Sequence, residues 1–160
     1  MDWRQRHGSL AQLVDTGRYD DNLVQSAVWV LSDGNDIAST GALDGTPNDS
    51  LRLRLSGWSG QPAPRYTVRY ASDEIRACSQ RPASISRHIS MDLTTAQHLT
   101  VVVKGDHGRV MRMLHDNLLL QAGNVDLPLA VDVLDWPPGR YAFYVYTTEA
   151  TSVRRLPFTL

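Results

Sequence analysis

Apolar positions along this chain follow two different periods. Between Asn22 and Ser32 they fall at Leu23, Ala27, Val30 and Leu31, the spacing of one helix face, and Val24 and Val28 widen the stripe. Asn22, Gln25, Ser26 and Asp33 share the other side. Asp20 or Asp21 can cap the start, and Gly34 is placed to end the helix. Asn35 or Asp36 can then cap a short helix through Ile37 and Ala38. Upstream, Leu10, Leu13 and Val14 suggest a short helical turn that ends near Gly17. Residues 1–45 therefore read as a helical N-terminal segment.

From residue 46 the pattern changes. Thr46-Pro47-Asn48-Asp49 carries turn chemistry. Leu51, Leu53 and Leu55 alternate with Arg52 and Arg54, which predicts a half-buried strand. Gly57 to Pro64 reads as a loop, and Tyr66 to Tyr70 as a short strand. Residues 46–85 thus read as a linker with strand pieces.

Over residues 86–160 strand candidates arrive at regular spacing. They are Ile89 to Leu93, Leu99 to Lys104, Val110 to Leu114, Val125 to Leu129, Arg140 to Thr147 and Val153 to Leu160. The turns between them include Gly105-Asp106-His107-Gly108 and Trp136-Pro137-Pro138-Gly139. Short strands at even spacing with turn residues between them predict a β-sandwich. Tyr141, Phe143 and Val145 alternate with Ala142, Tyr144 and Tyr146, so that strand is either covered on both faces or carries an exposed aromatic face. The predicted fold is mainly β with a small α part, an antiparallel sandwich preceded by a helical segment.

Composition narrows the function classes. The 160 residues carry 16 basic and 17 acidic side chains, a net charge of −1, which argues against bulk nucleic acid as a partner. Lys104 is the single lysine, and Glu74 and Glu149 are the only glutamates. Asp favours caps and turns where Glu and Lys favour helices, so this balance suits a turn-rich, strand-rich chain. No apolar run reaches the ~18 residues of a membrane span. With Cys78 alone, no intrachain disulfide is possible. The residues after Met1 lack the apolar core of a signal peptide, which keeps a cytoplasmic location open as the alternative to export.

The stretch from about Ser86 to Leu160 contains Leu99-Thr100-Val101-Val102-Val103, Gly108-Arg109-Val110, Ala122-Gly123, Leu134-Asp135-Trp136-Pro137-Pro138-Gly139-Arg140-Tyr141 and Arg154-Arg155-Leu156. In order and spacing these resemble the Ig-like module of flagellar hook-capping proteins and of C-terminal sorting domains in type IX secretion cargo. The family's acidic residue three before the turn glycine is Gly105 here, with Asp106 next, and where sorting domains end in a lysine-bearing strand this chain ends Leu156-Pro157-Phe158-Thr159-Leu160, a departure that bears on a sorting role more than on the fold. The resemblance implies an Ig-like sandwich in a bacterial exported or cell-surface protein, outside the cell or in its envelope, with an interaction, adhesion or secretion-related role. Val24-Gln25-Ser26-Ala27-Val28-Trp29 is similar to the glutamine-bearing helix of thioester surface adhesion domains. That family bonds the glutamine to an upstream cysteine, whereas Cys78 lies downstream, so Gln25 reads as a solvated or capping amide.

Residues with chemical potential are scattered. His7, His88, His98, His107 and His115 show no zinc-ligand spacing. The oxygen-rich runs at 32–36 and 44–49 lack the ligand order of a calcium loop and read as a cap and a turn. Asp126, Asp132 and Asp135 cluster near a strand and a turn and read as strand-edge polar residues. No G-x-S-x-G elbow or phosphate loop occurs. The chain therefore reads as non-catalytic, with no cofactor and no metal. Trp58, Arg65 and Tyr66, beside Pro62 and Pro64, are the candidate contact surface for a protein partner or a surface glycan. The simpler reading, which the need of a lone amphipathic helix for a partner face favours, has Trp58 and Tyr66 glue the N-terminal helix onto the sandwich. A glycan-binding module predicts exposed aromatics on one sheet face. A small hydrolase predicts a cleft holding His88 or His98 near Asp or Ser.

Overall fold

The computed structural model describes residues 8, 11, 19–41, 48–71, 81–147 and 154–160. All but residue 11 of the turn predicted over 10–17, the start of the Thr46-Pro47 turn, Cys78 and Val153, the predicted start of the last strand, lie outside them. The chain divides into two compact units, Met1–Ser79 and Gln80–Leu160.

In the first unit, helix α1 spans Asp21–Ser32, as the apolar stripe predicts. Asp20 caps it, its carboxylate accepting from the Leu23 N–H at 2.9 Å. A 3-10 turn follows at Ile37–Ser39, capped by Asp36, which accepts from the Ala38 N–H at 2.8 Å. Helix α2 spans Asp49–Ser59, where the alternation at Leu51, Leu53 and Leu55 predicts a strand. The cause is local. Asn48 accepts from the Leu51 N–H at 3.1 Å, Asp49 lies in the first turn, and Gly60 closes the helix in the left-handed conformation. Leu51 and Leu55 are four apart, so a helix face and a strand face both accommodate them. Leu53 decides between the two: it is 67% exposed, while Arg52 is buried. Strand β1 follows at Thr67–Tyr70.

Leu23, Ala27, Val30, Leu31, Ile37, Leu51 and Leu55 form the core of this unit, with Tyr19, Val24 and Trp58 packed around it. Arg52 ties the pieces together although it is only 1% exposed. Its Nε donates to the Thr40 carbonyl at 2.7 Å, Nη1 to the Tyr66 carbonyl at 2.9 Å, and Nη2 to the Ala38 carbonyl at 3.0 Å and to Thr67 Oγ1 at 2.9 Å. Burial pushes its pKa down, opposed by the charges of Asp49 and Asp36. The planar fork suits this task, since it reaches four acceptors in fixed directions.

The second unit holds six strands: β2 (Pro82–Leu93), β3 (Gln97–Lys104), β4 (Val110–Leu120), β5 (Gly123–Asp132), β6 (Arg140–Thr147) and β7 (Arg154–Thr159). All six predicted strands are present, several of them longer than the pattern implies. β2 pairs antiparallel with β5, and β4-β3-β6-β7 form an antiparallel sheet in that order. The chain crosses between sheets after β2, after β4 and after β5. Each sheet buries one face. Ile85, Ile89, Met91, Leu127, Leu129 and Val131 come from the first, and Leu99, Val101, Val103, Phe143, Val145 and Phe158 from the second. Two sheets with one apolar face each make a β-sandwich.

The corner before β6 is built around Tyr141. Its hydroxyl donates to the Pro137 carbonyl at 2.6 Å, a tyrosine corner of the kind that pins crossovers in β-sandwiches. The ring packs on Trp136 at 5.2 Å and Phe158 at 5.7 Å. A Cβ on Gly105 would stand 3.1 Å from the Tyr141 ring, so a side chain there would press on the ring. Burial, then the charge of Asp106, pushes the Tyr141 phenol up from its usual value, and Arg109 opposes them.

Candidate functional site

The outward faces of the two sheets differ in chemistry. On β2 and β5 the outward residues are Ser84, Ser86, His88, Ser90, Asp92, Asn124, Asp126, Pro128, Ala130 and Asp132, as the register and the alternating burial require. Neither lysine nor arginine stands among them. His88 Nδ1 lies 3.1 Å from Asp126 Oδ2, with the side chains 49% and 56% exposed. Ser90 donates to the other Asp126 oxygen at 3.3 Å, and Asn124 donates to Asp92 at 2.9 Å.

His88, Asp126 and Ser90 are residue types that a hydrolase uses, but their connectivity is different. A nucleophilic serine hydrogen-bonds its base, and a carboxylate orients that base from the far side. Here Asp126 is the shared partner, and Ser90 points its proton at the carboxylate. The group lies on an exposed sheet face. His98 lies in the other sheet, with Nδ1 3.1 Å from the Asn117 carbonyl.

The outward face of the four-stranded sheet is apolar, aromatic and basic. Tyr144 and Tyr146 stand two apart on β6, with ring centroids 6.4 Å apart and planes 15° from parallel. Lys104 Nζ donates to the Tyr146 hydroxyl at 2.7 Å and lies 5.0 Å from the Tyr144 ring centre and 5.3 Å from that of Tyr146. Val110 is paired with Lys104, Met113 with Val102 and Leu119 with His98, which puts all three on this face. They are 55%, 52% and 51% exposed. Arg155 stands opposite Tyr144, and Arg140 shares the parity of Tyr144 on β6. No carboxylate is among the paired residues of this face.

The edges at β5, β7 and β4 are blunted. β5 carries Pro128 and β7 carries Pro157, and proline cannot donate to an added strand. β4 pairs with β3 through three register shifts, and Asn117 has φ +55°, so its edge is bent by bulges. At these strands the faces, rather than the edges, are the surfaces suited to contact.

At one end of the sandwich, Arg81, Pro82, Val133, Leu134, Trp136, Pro138 and Leu160 are among the residues lining an open groove of about 460 Å³. Arg81 donates to the Leu134 carbonyl at 3.0 Å.

The residues singled out from sequence as a contact surface lie in the first unit. Trp58 is on α2, packed on the helical core, in the stretch expected to be a loop. Arg65 is exposed, and the Tyr66 carbonyl accepts from Arg52. Gln25 lies exposed on α1. Among the described residues no group of His, Cys, Asp or Glu is arranged to hold a metal ion, and no helix is long and apolar enough to cross a membrane. Sequence reasoning missed Lys104, Met113, Tyr144 and Tyr146 as a group. Bulky residues on both parities of β6 were the available signal. The partners on β3 and β4 depend on pairing that periodicity does not reveal. No protein-family model matches the chain, and no curated protein matches it significantly.

Proposed function

We propose that this chain is a non-catalytic interaction module, an Ig-like sandwich of a bacterial exported or cell-surface protein. Its contact surface is the outer face of the four-stranded sheet. The observation that carries the reading is the coincidence of Val110, Met113 and Leu119 with Tyr144, Tyr146 and Lys104 on one face whose paired residues include no carboxylate. Contiguous exposed apolar surface with aromatic and cationic side chains marks contact sites. The tyrosine corner at Tyr141 and the sheet-crossing connections support the Ig-like assignment.

A glycan-binding role is the second reading, favoured by the paired rings of Tyr144 and Tyr146 on a sheet face. Lys104 over both rings covers part of the surface on which a sugar would stack, so protein contact is the stronger reading.

The test places a photo-crosslinking residue at Met113, and as a control at Thr95 in the β2–β3 turn, in cells of the source organism. The reading expects a discrete protein adduct from position 113 alone, on material recovered from the envelope or the medium. Equal adducts from both positions, no adduct, or a wholly cytoplasmic protein would overturn it.

A further inference from the structure

The two outer faces of the sandwich complement each other. One carries Lys104, Arg140 and Arg155 among apolar and aromatic residues. The other carries Asp92, Asp126 and Asp132 around the small residues Ser86, Pro128 and Ala130, with no lysine or arginine. Three cations face outward from one sheet and three carboxylates from the other. Every residue of β5 on the acidic face is exposed, and His88 stands among them beside Asp126. The acidic face bears neither lysine nor arginine to oppose Lys104, Arg140 and Arg155, so the two faces attract one another rather than repel.

We propose that the occupant of the basic-aromatic face is a second copy of this chain, seated through the acidic outer face of its β2–β5 pair. This rests on the reading of the four-stranded sheet as the contact surface. The contact joins two different patches, so it is heterologous. The outer faces of a sandwich point in opposite directions, so each added copy leaves one basic and one acidic face open. Association therefore grows head to tail and does not stop at a dimer.

Its strength follows from its size and charge. Ten residue pairs join β2 and β5. At ~3.3 Å per residue and about 10 Å across two strands, they offer roughly 330 Å² per partner. That is well below the ~800 Å² per partner of stable interfaces. The contact is weak and transient, and its charge pairs make it sensitive to salt.

Sedimentation of the full chain over a concentration series, in low salt and in about 0.5 M salt, tests the proposal. Weight-average mass is expected to rise with concentration in low salt and to return to the monomer value in high salt. Two charge-reversed chains sharpen the test. One carries Lys104→Glu and Arg155→Glu, so both its faces are acidic; the other carries Asp126→Lys and Asp132→Lys, so both are basic. Each alone is expected to stay monomeric, and an equimolar mixture to associate. If Lys104→Glu alters the far-ultraviolet circular dichroism, Arg155→Glu alone replaces it. A wild-type chain that is monomeric throughout, association that persists in high salt, or a mixture that stays monomeric would overturn the proposal. A monomeric chain that still gives a foreign protein adduct from position 113 would sink self-association alone. Loss of every adduct would sink the contact surface with it.

Discussion

Two side chains show how a single residue holds each unit together from within. The Tyr141 hydroxyl donates a hydrogen bond to the Pro137 carbonyl, and its ring packs close against Gly105. Tyr141→Phe keeps the packing and loses the hydrogen bond, at an expected cost of about 1 kcal/mol in urea denaturation. The pH dependence has a definite sign. The folded phenol holds its proton more tightly than the unfolded one. Its contribution is whole below the unfolded value of about 10 and is lost as pH rises through the higher folded value. The stability gap between wild type and Tyr141→Phe should therefore narrow as pH rises above about 10; a constant gap would contradict this. Arg52 is the counterpart in the first unit. Arg52→Met strands three backbone carbonyls and the Thr67 hydroxyl, with an expected loss of about 3 kcal/mol or more. Arg52→Lys should recover only part of that, because an ammonium lacks the fork. A Met variant as stable as wild type would show that those carbonyls find other donors.

At the scale of elements, the strand edges explain how a β-rich chain avoids uncontrolled pairing. Pro128 and Pro157 each remove a donor from an edge strand. Pro128→Val with Pro157→Val should leave the fold intact and increase irreversible aggregation, read by light scattering on gentle heating; unchanged scattering would assign the protection to the β4 bulges alone. Elements also mark where sequence reading succeeds. The α1 helix was legible because its stripe, its Asp20 cap and the glycine after it agree. The six strands of the sandwich were legible because turn residues punctuate a period of two. The α2 helix was misread because Leu51 and Leu55 satisfy both periods, and the deciding facts are the Asn48 cap and the burial of Arg52. An arginine between leucines looks like the solvent side of a strand. Only tertiary structure supplies the four acceptors that let it be buried.

Across the molecule, the candidate contact surface was legible only in part. Tyr144 and Tyr146 could be placed on one parity of β6 from the sequence. Their union with Lys104, Val110, Met113 and Leu119 depends on the order β4-β3-β6 and on three bulges that reset the β4 register. Trp58, open to either a contact or a packing role in the sequence, packs on the helical core. Three surfaces now compete: the basic-aromatic sheet face, the groove beside Trp136, and the region of Arg65 and Tyr66. Amide NMR of the isotopically labelled chain, titrated with an envelope extract and with its own unlabelled copy, separates them in one measurement. Perturbations are expected at Lys104, Met113, Tyr144, Tyr146 and Arg155, with those from the unlabelled copy extending to Asp126 and Asp132. Perturbations confined to Trp136 and Leu134, or to Arg65 and Tyr66, would contradict the assignment of the sheet face as the surface through which this protein acts.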